Sequence, residues 1–193
     1  MVNEIERRPD QPDIAAHMPV LEELASRSAV ILELGTGFGN GSTRAIAKGL
    51  ARSTKPDKLW VSVDFDPARP EEPPQGVDCW HLVHGRTEDR LTVGRVCPWM
   101  LSTESPLDLL FIDTDHTYKQ MQRELELWAG SFATLETIIV AHDTWMFGVY
   151  NDMTEAIKKW AFEHPGWEYF DYSLDSHGLG MMRHRDGPWG DVR

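Results

Sequence analysis

Glu33-Leu34-Gly35-Thr36-Gly37-Phe38-Gly39-Asn40-Gly41-Ser42-Thr43 is the stretch that decides how the rest of the chain is read. It continues a compact apolar run, Ala29 to Leu34, and leads into a helical stretch from about Ser42 to Arg52. Glycines at alternate positions let a backbone turn sharply and approach a ligand closely, because no Cβ intervenes. The helix that follows points its N-terminus at whatever is bound there. No Gly-Lys-Ser/Thr follows, which argues against a phosphate-binding P-loop. The dinucleotide spacing G-x-G-x-x-G fits Gly35 and Gly37 but meets Asn40 where the third glycine belongs. A glycine-rich turn with no ligand is the bland alternative.

Outward from this loop, short β-rich runs alternate with helical stretches. Leu59 to Val63 is a second strand, Cys79 to Val83 a third, Leu107 to Ile112 a fourth and Thr137 to Ala141 a fifth. Tyr118 to Ala129 has Met121, Leu125 and Trp128 on one helix face, and Thr154 to His164 has Ala156, Ile157, Trp160 and Ala161 on another. Trp167 to Tyr172 and Gly178 to Arg183 are close enough to pair antiparallel. Pro67 to Pro74, with four prolines and two glutamates, reads as an irregular loop. Such alternation implies an α/β fold: a Rossmann-like, doubly wound, mostly parallel sheet with helices on both faces. Ligands of such sheets lie beyond the carboxyl ends of the strands, where strand order reverses.

At ~150 residues per domain, 193 residues make one domain, 1–193, with 1–28 as an N-terminal cap or lid. Nineteen Lys and Arg against thirty-one Asp and Glu give a net charge of -12. That balance argues against nucleic acid and against an anionic membrane surface, and leaves a small molecule as the expected partner. Two cysteines, Cys79 and Cys97, suit a reducing cytoplasm and provide neither a disulfide framework nor a Cys-rich metal site. The polar start, Met1 to Pro12, is not a signal peptide, and no apolar stretch reaches the ~20 residues of a membrane span.

The strand ends carry the chemistry. The second strand runs into Asp64-Phe65-Asp66. A carboxylate there can accept two ribose hydroxyls, with Phe65 as a wall for a base; a helix cap or a solvated turn is the structural alternative. The fourth strand ends in Asp113-Thr-Asp115-His116-Thr-Tyr118 and the fifth in His142-Asp143-Thr144. A crossover helix fits between them, so Asp113 and Asp143 can lie side by side. Without a cation, two converging carboxylates would repel and raise one pKa; a divalent metal would remove that conflict.

Glu33-x-Gly35-x-Gly37-x-Gly39 and Val63-Asp64-Phe65-Asp66 resemble the first two motifs of class I S-adenosylmethionine-dependent methyltransferases. Phe111 to Tyr118, His142 to Thr144 and Gly178-Leu-Gly180-Met-Met-Arg183 are similar to a narrower group: metal-dependent small-molecule O-methyltransferases, including macrolide sugar O-methyltransferases and the cephalosporin-hydroxylase-like proteins. Thr114 stands where that group's pattern has glycine. The resemblance implies seven strands with an antiparallel last one, and Glu33, Gly35, Thr36, Gly37 and Gly39 around the cofactor's methionine end. It places Asp64 on the ribose; Phe65, Asp113 and Arg86 are also expected at the cofactor, with Arg86 attracting an anionic substrate or neutralising nearby acids as alternatives. It further implies a divalent ion on Asp113, His142 and Asp143: magnesium first, then manganese, iron or zinc, the last three favoured by imidazole. His142 pointing into the core is the alternative.

His116 is the expected general base, its tautomer set by adjacent Asp115, with Asp113 beside it in the catalytic pair. A surface histidine at a helix start is the plainer reading. Tyr118, Trp145, Phe147 and Tyr150 are expected to wall the substrate, although the loop from Trp145 to Tyr150 suits a core cover or a homodimer contact equally well. The reaction expected is methyl transfer to an oxygen of a small molecule. A nicotinamide dehydrogenase would explain Gly35, Gly37 and Asp64 but neither later strand end, and a catalytically silent cofactor-binding module is a third reading.

Overall fold

The computed structural model describes residues 13–37, 39–66, 77–146 and 151–192. The irregular loop expected at Pro67 to Pro74 lies outside them, as do Phe147 and Tyr150. Seven strands form one sheet: β1 (Val30–Leu34), β2 (Leu59–Asp64), β3 (Trp80–His84), β4 (Leu109–Ile112), β5 (Ile138–His142), β6 (Trp167–Ser173) and β7 (Leu179–His184). Their order is β3-β2-β1-β4-β5-β7-β6, and β7 alone runs antiparallel to the others. Strand order reverses between β1 and β4, which pair in parallel with Leu34 opposite Ile112. The carboxyl ends of these two strands therefore open the crevice where such folds bind ligands.

The central strands β1, β2, β4 and β5 are buried along their whole length, which explains why they read as continuous apolar runs. Alternate side chains feed two cores. Leu32, Leu34 and Ile112 face one with Met121, Leu125, Trp128, Ile157 and Trp160. Ile31 and Phe111 face the other with Leu21, Leu24, Ile46 and Leu50. The helices are α1 (Met18–Ser26), α2 (Ser42–Arg52), α3 (Arg90–Met100), α4 (Tyr118–Glu124), α5 (Gly130–Phe132) and α6 (Asp152–Glu163). A 3-10 turn, Asp13–His17, precedes α1, which carries Pro19 in its first turn, where the missing N–H costs nothing.

Two departures from the periodicity have physical causes. Helix α3 is weakly amphipathic and carries Pro98 inside, so no apolar stripe announces it; its start is marked instead by Asp89, which accepts a hydrogen bond from the Leu91 amide. The expected helix from Tyr118 to Ala129 widens into a π-helical segment at Leu125–Ala129. Such widening shifts the register of buried faces without breaking the helix, and lets Met121, Leu125 and Trp128 all remain in the core.

Candidate functional site

At the switch point lies a cavity of about 350 Å³ lined by residues of the glycine loop, the ends of β2 and β4, and the turn after β3. Gly35, Gly37, Asp64, Phe65, Arg86 and Asp113 all line it. Gly35 sits at φ +85, and a Cβ there would stand 2.0 Å from the Asp113 carbonyl oxygen. Glycine is therefore needed for the β1 and β4 ends to meet, as well as for approach to a ligand. Asp64 Oδ2 accepts from both the amide and the hydroxyl of Thr36 at 2.9 Å, and Oδ1 accepts from the Asp66 amide at 2.9 Å. The aspartate thus shapes the loop while its edge faces the cavity. Phe65 is 72% exposed, an apolar face held in solvent over the opening.

Glu33 occupies another place than the one expected. It is fully buried below the loop: Oε1 accepts from the hydroxyls of Ser42 and Thr43 at 2.9 Å and Oε2 from Ser62 at 2.6 Å. It ties β1 to β2 and to the start of α2. Burial outweighs these hydrogen bonds and pushes its carboxyl up to about 7. A second buried acid, Glu124, went unread in the sequence because it lies on α4 between two apolar core positions. It accepts hydrogen bonds from Thr87, Thr114 and Gln120, three residues that line the cavity, and burial raises it to about 7 as well. Arg86 donates to Glu88, which also lines the cavity, at 3.0 Å.

On the far side of Asp113 a second cluster begins. His116 Nε2 donates to Asp143 Oδ2 at 2.9 Å and lies 3.9 Å from Asp113 Oδ1. The group that orients His116 is thus Asp143, across the sheet on the end of β5; Asp115, next in sequence, is exposed. His142 is completely buried, yet its Nδ1 faces the two carboxylates, 3.3 Å from Asp143 Oδ2 and 3.5 Å from Asp113 Oδ1, without an aligned hydrogen bond to either. Its Nε2 lies 3.2 Å from the Ser176 carbonyl oxygen. His142 is thus a core residue whose Nδ1 edge reaches the carboxylate cluster. Asp113, His116 and Asp143 bring ligand atoms within 4.8 Å of one another.

The loop between β6 and β7 completes this arrangement. His177 Nδ1 donates to Asp143 Oδ1 at 2.9 Å, and the Asp175 carbonyl lies 2.9 Å from Nε2 of buried His17, whose ring meets that of His142 edge-on at 5.5 Å. Asp143, Ser176 and His177 have φ of 59, 46 and 69, the left-handed region that side chains avoid. Strain of this kind persists only where surroundings over-determine it. Gly178 follows at φ +88, where a Cβ would strike Trp145 and Thr144. Asn151, the N-cap of α6, donates to the Asp143 carbonyl and anchors the other side.

The electrostatics follow from these contacts. Asp113 and Asp143, the carboxylates beside it, raise His116 to about 9. Burial alone would lower His142, but Asp113 and Asp143 raise it to about 10. Burial would raise the two carboxyls, and the imidazoles beside them hold both below the usual range. Among the expected substrate residues, Trp145 is half-buried with its amide bonded to the His177 carbonyl. Tyr118 packs on the core at the start of α4 and is not among the cavity's lining residues. Gly178 belongs to a motif legible in the sequence, whereas nothing local announces that His177 has a partner thirty-four residues away.

A family model described as a methyltransferase domain matches residues 32–144, more than half of the chain. The chain belongs to that family, and with this sheet order it is a class I S-adenosylmethionine-dependent methyltransferase. Similar solved structures include the O-methyltransferase NovP (12% identity, 89% of this chain and 81% of that one, TM-score 0.55). CmcI-N160 in its apo form (18%, 92% and 73%, TM-score 0.56) is another. A TehB-like S-adenosylmethionine-dependent methyltransferase from Corynebacterium glutamicum (16%, 86% of each chain, TM-score 0.55) shares the same fold. No curated protein matches the chain. Among the described residues no helix is long and apolar enough to cross a membrane.

Proposed function

We propose that the protein transfers a methyl group from S-adenosylmethionine to an oxygen of a small-molecule acceptor, with His116 as base beside a divalent cation held by Asp113, His142 and Asp143. The observation that carries this reading is that Asp113 belongs to both the cofactor cavity and the imidazole–carboxylate cluster, so the methyl donor and the proton acceptor share a wall. The buried, unbonded Nδ1 of His142 between two carboxylates is what a cation ligand needs, so the residues fit such an ion. NovP, described as an O-methyltransferase, supports oxygen as the acceptor.

In this reading the backbone at Gly35, Thr36 and Gly37 receives the methionine end, Asp64 takes the ribose, and Phe65 covers the base. The cation, when bound, lowers the pKa of an acceptor hydroxyl and offsets the two carboxylates. In the cation-free protein the two carboxylates favour a protonated His116; with their charge offset, the ring keeps its Nε2 hydrogen on Asp143, its lone pair at Nδ1 takes the acceptor's proton, and Asp143 stabilises the imidazolium that results. The acceptor oxygen attacks the sulfonium methyl in line, forming the C–O bond as the C–S bond breaks and S-adenosylhomocysteine leaves. Orientation by the two halves of the site supplies much of the acceleration. Trp145 borders the acceptor; a single domain in a reducing cytoplasm, without nucleic acid, completes the proposal. Calorimetry with S-adenosylmethionine and with NAD, followed by product analysis on a panel of hydroxylated acceptors, tests it. Tight S-adenosylmethionine binding with methylated products supports the reading. NAD binding in its place, or cofactor binding with no transfer to any acceptor, overturns it.

A further inference from the structure

We infer that the cation site is built for a nitrogen-accepting transition ion of the cobalt, zinc or manganese class in preference to magnesium, with Nδ1 of His142 as the selecting ligand. The inference rests on the proposed cation at Asp113 and Asp143 and deepens it.

Three observations point the same way. The first is the tautomer of His142. Its Nε2 faces the Ser176 carbonyl, an acceptor only, so Nε2 carries a hydrogen and a neutral ring has its lone pair at Nδ1. That lone pair is buried, has no aligned hydrogen bond, and points between two carboxylate oxygens 3.3 and 3.5 Å away. Two anions facing this nitrogen call for positive charge between them: a ring proton in the cation-free protein, or an ion that displaces that proton and takes the three atoms as ligands.

The second is the support behind the donors. Carbonyls of successive residues, Asp175 and Ser176, face His17 and His142, and the next residue, His177, holds Asp143 Oδ1. A ligating histidine whose other nitrogen faces a backbone carbonyl has its ring orientation and tautomer set before the ion arrives. Asp143, likewise gripped on Oδ1, presents Oδ2 inward. A left-handed run at Ser176, His177 and Gly178 is what brings one loop's carbonyls and imidazole to these atoms together.

The third is donor chemistry. Magnesium takes oxygen ligands and keeps much of its water, whereas imidazole suits zinc, cobalt, iron and manganese. A buried imidazole with no water-facing edge gives magnesium one ligand fewer where it most needs oxygen. The same nitrogen is an asset to the later ions of the series.

The test uses the full chain, stripped with chelator, with neither cofactor nor acceptor present. Calorimetry with CoCl₂, ZnCl₂ and MgCl₂ gives relative affinities, and the visible spectrum of the cobalt form reports its ligands. Cobalt and zinc should bind on the order of 100-fold more tightly than magnesium. His142→Glu should lose roughly 10- to 100-fold in cobalt affinity, gain in magnesium affinity and change the cobalt spectrum. Magnesium binding as tightly as cobalt overturns the inference, as does a cobalt spectrum and affinity unaltered in His142→Glu. If that variant does not fold, the wild-type ratio and the zinc-induced shift of the His142 Nδ1 resonance in nitrogen-15 spectra decide alone. Failure of every ion to bind overturns this inference and the proposed cation. Methyl transfer measured in excess chelator then judges the methyltransferase reading separately.

Discussion

Glu33 and Glu124 sit beneath the cofactor cavity, held by serine and threonine hydroxyls and one glutamine amide. Asp113 and Asp143, a few residues away across the switch point, are held by imidazoles. Three of these carboxylates are buried and Asp113 is half-buried, yet burial wins in the first pair and raises both to about 7, while neighbouring positive charge wins in the second and lowers both. Neutral donors satisfy a carboxylate's lone pairs without offsetting its charge. The difference teaches what each pair is for. The hydroxyl-held acids brace the walls of a pocket, and the imidazole-held acids keep full charge at a place where positive charge can be exchanged.

The largest expected effect tests whether the two halves act separately. His116→Ala should lower turnover by ~10²- to 10⁴-fold, the usual worth of a positioned base, with S-adenosylmethionine affinity unchanged in calorimetry. A parallel loss of cofactor affinity would dissolve the distinction. Next is Asp143→Asn, chosen because asparagine tolerates the left-handed backbone that Asp143 adopts. It should weaken cation binding by roughly 10- to 100-fold while sparing the cofactor. Asp64→Ala probes the opposite half: loss of hydrogen bonds to a charged group, about 1.5–3 kcal/mol, should appear in cofactor affinity and leave cation affinity alone.

The smallest effect is the dependence of stability on pH, where the pairs carry different signatures. Glu33 and Glu124 are raised from 4.5 to about 7, so the folded state binds more protons between those values. Their contribution is present below pH 4.5 and is lost as pH rises through about 7. His116 and His142, raised from 6.5 to about 9 and 10, contribute stability below 6.5 that is lost as pH rises through those values in cation-free protein. Asp113 and Asp143, lowered from 3.8, contribute above that value and lose it as pH falls further. Thermal melts from pH 4 to 10 should show Glu33→Gln and Glu124→Gln flattening the fall between 4.5 and 7, while added zinc or cobalt flattens the fall above 6.5. If zinc acted on the acidic limb as well, the two networks would be coupled.

Much of this was legible in the chain because the relevant signals are local. Ala29 to Leu34 must be a buried strand whatever surrounds it, and alternate glycines after it leave few backbone solutions. Asp64, Asp113 and Asp143 follow apolar β-rich runs, so each was placed at a strand end and each is found there. The errors are of another kind. Glu33 was taken for a ligand contact because it borders the glycine loop, but an odd step along β1 turns it under the loop toward Ser62 on β2. Adjacency pairs Asp115 with His116, whereas in the loop after β4 Asp115 is exposed and His116 turns to Asp143. Helix α3 left no apolar stripe to find.

Periodicity, glycine spacing and the charged residues after each strand therefore determined, from sequence alone, a doubly wound sheet, its ligand edge and the residue types available there. Tertiary structure decided which of those residues meet. His142 faces Asp113 because β4 and β5 lie in register, and His177 reaches Asp143 because a left-handed run after β6 folds its loop over β5. Contacts made across thirty or more residues depend on strand order and loop handedness, and neither is written in the residues that touch.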